Sequence, residues 1–273
     1  MKAPGEGLEF GVRTDQGMVR SNNEDSVFIN PELGLAILAD GMGGGNAGEV
    51  ASGMATTLLA EDLKHTLGGL RAGEAAAGES RAVGVLREKI AVANESIFRA
   101  AEHQPQYSGM GTTLVVALFC DDRLVAAHVG DSRLYRVRAG ELTQLTRDHS
   151  FLQLQLDAGV ITPEEAKNSK QKNIVTRALG IEPKVESEIH EHQVQLGDIY
   201  VLCSDGLHDM VEGKNIVAAL QSPGGNLESA ARRLIQMAND NGGKDNVSVI
   251  LVKILEGFLP PTGWWQRFRA WLK

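Results

Sequence analysis

Three aspartates at the boundaries of apolar runs are the residues of this sequence that most directly suggest chemistry. Asp40 and Asp205 each close an apolar run and precede a glycine, whereas Asp245 comes just before the apolar run 247–252. Strands of about five to six residues that begin or end near an aspartate can bring distant carboxylates together at one end of a sheet. Clustered carboxylates repel one another unless a cation lies between them. The sequence therefore predicts a site for hard divalent metal ions.

The elements that must position these aspartates are mostly strands. Runs rich in Val, Ile and Leu recur, and short polar turns such as 121–122 and 139–140 join neighbouring runs into hairpins. Consecutive strands with tight turns predict antiparallel sheets rather than a doubly wound parallel sheet. The predicted strands are 9–14, 26–30, 34–39, 112–120, 123–130, 134–138, 141–145, 199–203 and 247–255.

Helical spacing of apolar residues predicts three helices, at 48–67, 83–102 and 226–239, the last with Asn226 as its N-cap. Their apolar faces are suited to covering the sheets. Between the first two helices, residues 68–82 are rich in Gly, Ala and Glu, which indicates a mobile surface connection.

The segment 148–178 is polar and weakly patterned, and it lies between two groups of strands. A helix start is predicted at Thr162 and Pro163, with threonine as the cap and proline at the first helical position. A polar stretch of this length between strands is typical of a flap near a functional site.

Composition narrows the class of protein. The chain has 273 residues, 42% of them hydrophobic and 23% charged, and a net charge of −8. The absence of a basic stripe in the first 256 residues argues against nucleic acid as a partner. Cys120 and Cys203 lie in apolar runs, as buried free cysteines do. With no apolar signal core and no stretch of roughly 18 apolar residues, we expect a soluble, cytoplasmic protein.

Several ordered motifs carry a family resemblance. The blocks with metal and phosphate chemistry are 15–25, 40–44, 130–133, 205–206 and 245–246, and further blocks lie at 111–113, 145–150 and 176–180. With these motifs in the family's order, the chain from about Glu9 to Leu255 resembles the metal-dependent serine/threonine protein phosphatases of bacterial type, the PPM or type 2C family. The resemblance implies an α+β fold, a four-layer α-β-β-α sandwich with two central antiparallel sheets.

The resemblance also implies two Mn2+ or Mg2+ ions at one end of the sandwich. Asp40 would bridge them, Gly41 would offer its carbonyl, and Asp205 with Asp245 would complete the protein ligands of the second ion. Oxygen ligands suit both metals, and two ions roughly 3.5–4 Å apart can acidify a shared water and clamp a phosphoryl displacement. A bridging hydroxide would then attack phosphorus directly, without a covalent phosphoenzyme.

Further roles follow from the same motifs. Arg20 is the expected phosphate clamp, since a guanidinium matches two phosphate oxygens. Glu24 and Asp25 would hold metal-bound waters and orient Arg20. By resemblance to bacterial members, Asp131 with Asp205 would hold a third, weaker ion, although Asp131 could instead cap the turn that follows it.

Some positions depart from the family pattern or leave their role open. Met42 stands where eukaryotic relatives commonly carry a histidine proposed as the general acid, so the proton donor is unassigned and a metal-bound water is the hypothesis. Residues 168–172 lack the His-Pro pair expected in many relatives, which argues against metal or substrate contacts from that part of the flap. Asp148 and His149 could serve structure or catalysis.

The expected function is dephosphorylation of phosphoserine and phosphothreonine in proteins, in opposition to a serine/threonine kinase. A cysteine-dependent phosphatase is excluded because Asp209 and Ala126 stand where its phosphate-binding arginine would follow Cys203 or Cys120. The alternative is a catalytically silent module of the same fold that binds phosphoproteins. Such modules typically lose metal carboxylates, and all three aspartates are present here, so we expect an enzyme, acting as a monomer.

The C-terminal tail is predicted to be separate from the phosphatase domain. We place the domain at 1–257, with its flap at about 148–178, and a Trp-rich basic tail at 258–273. All three tryptophans lie in 263–273, where aromatic residues and basic residues combine in a pattern typical of peripheral membrane or partner contact. Packing of this tail against the protein's own surface is the open alternative.

Overall fold

Two antiparallel sheets stacked face to face form the centre of the computed structural model. It describes residues 6–67, 80–120, 122–167, 169, 171, 174–222, 225–256 and 258. The strands are β1 (Leu8–Asp15), β2 (Asp25–Asn30), β3 (Leu35–Met42), β4 (Gly111–Thr112), β5 (Leu114–Cys120), β6 (Arg123–Val129), β7 (Arg133–Arg138), β8 (Glu141–Gln144), β9 (Glu188–Gln193), β10 (Ile199–Cys203) and β11 (Val247–Ile254). The helices are α1 (Ala47–Leu67), α2 (Arg81–His103), α3 (Phe151–Asp157), α4 (Pro163–Lys167), α5 (Asp205–His208), α6 (Gly213–Leu220) and α7 (Leu227–Asp240).

The sheets have different strand orders. One sheet runs β1-β11-β10-β7-β8, and the other runs β2-β3-β5-β6-β9 with the short β4 paired to β3. Every pairing between these strands is antiparallel. The predicted antiparallel sheets are therefore confirmed.

Side-chain alternation along the strands explains the four layers. In β3, Leu35 and Ile37 pack in the core beneath α1 and α2, whereas Ala36 and Leu38 lie in the core between the two sheets. In β10, Tyr200 lies between the sheets and Val201 packs beneath α6 and α7. Because successive side chains point to opposite faces, a strand with apolar residues at every position must be covered on both sides. The α-β-β-α sandwich is confirmed.

The predicted helices form where apolar spacing and capping agree. Ser80 accepts a hydrogen bond from the Val83 amide at the start of α2, and Asn226 accepts one from the Ser229 amide at 2.8 Å at the start of α7. At α4, Thr162 and Glu165 cap each other's amides, which confirms the helix start predicted there. Of the connection predicted at 68–82, only 80–82 are described, and they belong to the cap and first turn of α2.

Several elements differ from the sequence-based expectation. The predicted strand 112–120 divides at Thr113, because the Thr113 amide donates to the Asp40 carbonyl (2.8 Å) instead of continuing the ladder. The strand predicted to end at 39 continues through Asp40 to Met42, because β4 pairs with its last two residues. The additional elements are β9, α3, α5 and α6.

Neither cysteine forms a disulfide; Cys203 is buried, as expected, whereas Cys120 is only half-buried. Within the described part of the chain, no helix is long and apolar enough to cross a membrane. Phe258 is buried and its ring packs edge-on against that of Phe119, with centroids 6.3 Å apart. The rest of the predicted tail, 259–273, lies outside the described residues, so the domain boundary at 257 stays a prediction.

Candidate metal and phosphate site

Strand register places the first pair of carboxylates side by side. Asp40 lies near the end of β3 and is the direct antiparallel partner of Asp25, the first residue of β2. Opposite residues of an antiparallel pair have Cα atoms about 4.5–5.5 Å apart. The pairing of β2 with β3 therefore places the side chains of Asp25 and Asp40 close together at one end of the sheet.

The second sheet delivers Asp205 and Asp245 to the same region. β10 and β11 are antiparallel, with Cys203 opposite Val249, so the residues after β10 lie beside those before β11. Asp205 begins the short helix α5 directly after β10. The sheet topology therefore brings together aspartates that are far apart in the sequence, as predicted.

The acidic groups interact strongly with one another. Burial raises the pKa of Asp40 well above its usual value, and the charges of Asp25, Asp205, Asp131 and Asp245 raise it further. Burial likewise raises the pKa of Asp205, with contributions from Asp131, Asp245 and Asp25. The structure thus brings together five acidic side chains, which we call the carboxylate group: Asp25, Asp40, Asp131, Asp205 and Asp245. The fold therefore concentrates acidic groups here that a bound cation would stabilise.

The same group contains buried oxygens that have no hydrogen-bond partner among the described residues. They are Oδ1 of Asp25 and Oδ1 of Asp205. The other oxygen of Asp25 accepts a hydrogen bond from Ser204 Oγ at 2.8 Å, yet burial still raises the pKa of Asp25 to about 6. A buried, unpaired carboxylate oxygen is costly unless a cation is bound to it. The all-oxygen donor set suits Mg2+ or Mn2+.

Threonine hydroxyls fix the backbone of Asp40, a role that was not expected from the sequence. Thr113 Oγ1 accepts from the Asp40 amide at 3.0 Å, and Thr112 Oγ1 donates to the Asp40 carbonyl at 2.9 Å. Thr113 Oγ1 also lies 2.7 Å from Ser132 Oγ, next to Asp131. One side chain therefore connects the backbone of Asp40 to the loop that carries Asp131. The motif 111–113 was the only sequence signal for it.

The glycines after Asp40 and Asp205 are required by close backbone contacts. A Cβ atom on Gly41 would lie 2.0 Å from the Gly48 carbonyl oxygen, and one on Gly206 would lie 2.0 Å from that of Asn246. Any side chain at either position would force the backbone apart. Each Asp-Gly pair is thus a point where another segment approaches the site closely.

Arg20 lies on the loop after β1, and its guanidinium Nη2 donates to Asp245 Oδ2 at 2.7 Å. This hydrogen bond raises the pKa of Arg20, with further contributions from the charges of Asp245, Glu24 and Asp205. The side chain of Arg20 is half exposed, at 50% of its possible surface. The expected phosphate clamp is therefore beside the carboxylates and open to an incoming ligand.

Asn246 holds the loop that carries Arg20 in place, a role that was not expected from the sequence. Its Nδ2 donates to the carbonyls of Gln16 (2.9 Å) and Asn22 (2.8 Å), and its Oδ1 accepts from the Glu24 amide at 2.8 Å. A single buried amide thus satisfies backbone groups on both sides of Arg20. Its position after Asp245 was visible in the sequence, but its partners, more than 220 residues away, were not.

Glu24 is placed against the start of α1. Its backbone carbonyl accepts from the Gly41 amide at 3.1 Å and from Ser52 Oγ at 2.6 Å. A Cβ on Gly48 would lie 2.9 Å from the Glu24 carboxylate, so that carboxylate packs closely over the helix backbone. Glu24 is therefore next to both Gly41 and the charge of Arg20.

Asp148 and His149 make structural contacts. Asp148 accepts from Arg133 Nε at 3.0 Å and Nη2 at 2.6 Å, a bidentate ion pair. His149 Nδ1 accepts from the Gly130 amide at 3.2 Å, and its own amide donates to the Gly130 carbonyl at 2.9 Å. These bonds fix the turn that carries Asp131, which favours the structural interpretation of both residues.

A separate cluster of potential ligands lies at His128, His149 and Glu188, with ligand atoms within 4.8 Å of one another. His149 Nε2 is already 3.1 Å from Glu188 Oε1, and Arg177 Nη1 lies 3.2 Å from the same nitrogen. His128 Nε2 is bonded to the Arg147 carbonyl at 2.8 Å. A guanidinium beside the cluster disfavours a second cation. The carboxylate group formed by the five aspartates is the stronger candidate for a metal site.

The sequence and fold of this chain are similar to those of known phosphatases. The sequence pattern of the protein phosphatase 2C family matches residues 19–256. The serine/threonine protein phosphatase PstP of Mycobacterium tuberculosis (strain ATCC 25618 / H37Rv) is 42% identical over 249 residues, covering 91% of this chain and 45% of that protein. This chain therefore spans less than half of the length of PstP.

Two further similarities cover nearly all of the protein compared. The serine/threonine phosphatase stp of Listeria monocytogenes serovar 1/2a is 42% identical over 244 residues, covering 88% of this chain and 94% of that protein. A crystal structure of the catalytic domain of PstP in complex with two manganese ions has a TM-score of 0.79 at 40% identity, covering 91% of this chain and 99% of that chain.

Proposed function

The chain belongs to the protein phosphatase 2C family, and we propose that it is a metal-dependent enzyme that removes phosphate from phosphoserine and phosphothreonine in proteins. The observation that carries the proposal is the group of mutually interacting carboxylates, two with unpaired buried oxygens, beside a half-exposed arginine. Such a group is suited to cations and, through them, to an anionic substrate. Its phosphorylated protein substrates would be the products of a serine/threonine kinase.

The proposed ligands of two Mn2+ or Mg2+ ions are Asp40, the Gly41 carbonyl, Asp205 and Asp245. The complex of PstP with two manganese ions supports a pair of ions. When bound, such ions supply an acidified water and stabilise the charge that develops on the phosphoryl group. Asp131, which lies with Asp205 in the same carboxylate group, is the proposed ligand of a third, weaker ion.

The remaining residues position the substrate and the solvent. Arg20 binds the phosphoryl oxygens through its guanidinium and stabilises their charge as the phosphorus–oxygen bond breaks. Glu24 and Asp25 orient ordered waters by accepting their hydrogen bonds. Met42 has no proton to give, so a water molecule held in the site protonates the leaving serine or threonine oxygen.

The test is hydrolysis of phosphoserine, phosphothreonine and phosphotyrosine peptides of one sequence, with Mn2+ and with EDTA. We expect turnover of the first two peptides that depends on Mn2+ and is lost in Asp205→Asn. Asp240→Asn, at an exposed position at the end of α7, is the matched control and should retain turnover. Binding of the peptides by pure wild-type protein without turnover would contradict the proposal and favour a silent phosphoprotein-binding module.

We also propose a division of the chain into a phosphatase domain at 1–257, with its flap at about 148–178, and a tail at 258–273 that contacts a membrane surface or a partner through 263–273. The cluster of tryptophans and basic residues supports this. Sedimentation with anionic liposomes, comparing the full chain with one that ends at Leu259, tests it. Equal sedimentation of the two chains would reject the membrane contact.

A further inference from the structure

A long groove leads away from the carboxylate group along helix α2. We call it the α2 groove; it has a volume of about 1270 Å3 and lies between α2 and the segment 175–186. A second cavity, of about 610 Å3, shares Phe98, Glu102 and Ile181 with it and extends it past the end of α2. A groove of this size exceeds what a phosphate group needs and matches a segment of polypeptide.

The α2 groove is connected to the candidate site through Met42, which lines it and lies two residues after Asp40. Two extended residues span about 7 Å. A side chain whose phosphate lies at the carboxylate group would therefore place its own chain neighbours at the mouth of the groove. From Glu88 to Glu102 the wall formed by α2 is about 21 Å long, which accommodates roughly six extended residues.

Apolar side chains that line the α2 groove, which we call its apolar floor, are partly exposed. Val92 of α2 is 44% exposed, and Ile181 of the segment 175–186 is 46% exposed. Phe98 lines the same groove. Partly exposed apolar side chains that line a groove offer surface for a bound segment to cover. Aliphatic stems of bound residues would do so.

The charged residues that line the groove, which we call its rim, carry an excess of negative charge. Its charged lining consists of five glutamates against Arg99, Arg177 and Lys184. Arg99 is paired with Glu95 at 2.5 Å, and Arg177 Nη1 donates to the Glu186 backbone carbonyl at 3.2 Å. The five glutamates are Glu88, Glu95, Glu102, Glu182 and Glu186.

Three of these carboxylates are available to a ligand. Glu88 is bonded to Lys89 at 2.9 Å and Glu95 to Arg99, whereas the other three have no cationic side-chain partner among the described residues. Glu102, Glu182 and Glu186 are all exposed. Exposed carboxylates above an apolar floor match the shape of lysine and arginine, which have an apolar stem and a charged end.

We propose that the α2 groove binds the residues that flank the phosphorylated side chain and selects substrates with lysine or arginine at those positions. This inference rests on the proposed phosphatase function and adds the substrate class. The apolar floor takes the stems of the basic side chains and the free glutamates of the rim take their charges. Electrostatic selection of this kind acts on association and weakens as salt screens the charges.

The test compares two phosphothreonine peptides of the same length, one flanked by lysines and one by glutamates, with Mn2+ present. The wild-type protein should give a kcat/KM about tenfold higher for the lysine peptide at low salt, the scale of a few exposed charge pairs. In Glu102→Lys/Glu182→Lys the ratio of the two kcat/KM values should fall to one or below. Because a ratio is compared, a loss of activity common to both peptides cancels.

Two further variants guard against charge or folding effects. Glu32→Lys/Glu61→Lys makes the same change in net charge at exposed positions outside the groove and should keep the wild-type ratio. Glu102→Gln/Glu182→Gln removes charge with little change in shape and should lower the ratio partway. Equal wild-type kcat/KM values for the two peptides would overturn the groove's role and leave the phosphatase function intact. If the wild-type protein hydrolyses neither peptide nor para-nitrophenyl phosphate, both proposals fail together.

Discussion

Arg20 Nη2 lies 2.7 Å from Asp245 Oδ2, so the residue proposed to bind phosphate is paired with a residue proposed to bind metal. In this ion pair each side chain limits the other's ability to bind a different partner. A cation that takes the Asp245 carboxylate weakens its hold on Arg20 and leaves the guanidinium for an anion. If Arg20 binds phosphate and Asp245 binds metal, as proposed, the two binding events would be linked through this one contact.

This contact predicts opposite effects on metal affinity for its two members. Arg20→Ala should leave Mn2+ affinity unchanged or tighter, since it removes a competitor for Asp245, while kcat/KM for a phosphothreonine peptide falls about 10–100-fold, as expected for a lost charge-assisted bond worth about 1.5–3 kcal/mol. Asp245→Asn should weaken Mn2+ binding. Isothermal titration with Mn2+ measures both.

The control for this comparison is Arg232→Ala, which removes an exposed arginine of α7 outside the site. It should change neither Mn2+ affinity nor kcat/KM. A loss of Mn2+ affinity in Arg20→Ala as large as that in Asp245→Asn would mean that the two residues do not compete, and the linkage would be wrong.

The buried carboxylates predict a pH-dependent cost to the metal-free protein. Burial raises the pKa of Asp131 to about 6, above its value near 3.9 in an unfolded chain. A raised pKa means that the folded state binds the proton more tightly, so stability from this group is full below about pH 3.9 and is lost as pH rises through about 6. With EDTA present, Asp131→Asn should raise the free energy of unfolding at pH 7 by up to about 3 kcal/mol.

The same variant should show a gain of less than about 1 kcal/mol at pH 4, because Asp131 is then largely protonated in the folded protein. Urea unfolding at the two pH values checks the difference. Asp240→Asn, at an exposed position, serves as the comparison. A gain from Asp131→Asn that is equal at pH 4 and pH 7 would contradict the burial of an ionisable, uncompensated group.

Thr113 predicts a positioning effect on Asp40. Thr113→Val removes the hydroxyl that accepts from the Asp40 amide and contacts Ser132, leaving a buried donor unpaired at a cost of about 1–3 kcal/mol. We expect lower stability together with weaker Mn2+ binding, and recovery of both in Thr113→Ser, which keeps the hydroxyl. Weaker stability with unchanged Mn2+ affinity would show that Thr113 supports the core but does not position Asp40.

Asn246 predicts a separate effect, on the substrate. Asn246→Ala removes three hydrogen bonds to the loop that carries Arg20. The KM for a phosphothreonine peptide should rise several-fold while Mn2+ binding to the carboxylates changes less. Steady-state kinetics at saturating Mn2+ measures it, and an unchanged KM would contradict the role of Asn246 in holding Arg20.

The sheets and their acidic ends were readable from local patterns. Val, Ile and Leu runs with tight turns determined the strands, and the aspartates that follow two of these runs and precede a third indicated where carboxylates would meet. In contrast, β9 has the sequence Glu188–Gln193 with few apolar residues, and it becomes a strand because β6 offers its edge. Tertiary pairing there overrides local propensity.

The contacts that support the site could not be predicted from the sequence, because they also depend on tertiary structure. Thr113 and Asn246 act through partners that are 73 and more than 220 residues away, respectively. The pairing of Arg20 with Asp245 likewise depends on the adjacency of β1 and β11, since Asp15 is opposite Val247. A sequence motif identifies the residue types, but the strand register is needed to know which residues lie next to them.

Metal-dependent dephosphorylation is decided by phosphate release from a phosphothreonine peptide by wild-type protein and by Asp40→Asn, each titrated with Mn2+. Asp40 is at the centre of the carboxylate group, so its charge should be required at every Mn2+ concentration. The predicted result is saturable, Mn2+-dependent release by the wild type and a kcat/KM at least about 100-fold lower in Asp40→Asn, the scale of one transition-state contact. Release that is undiminished in EDTA, or equal in the two proteins, would contradict the account.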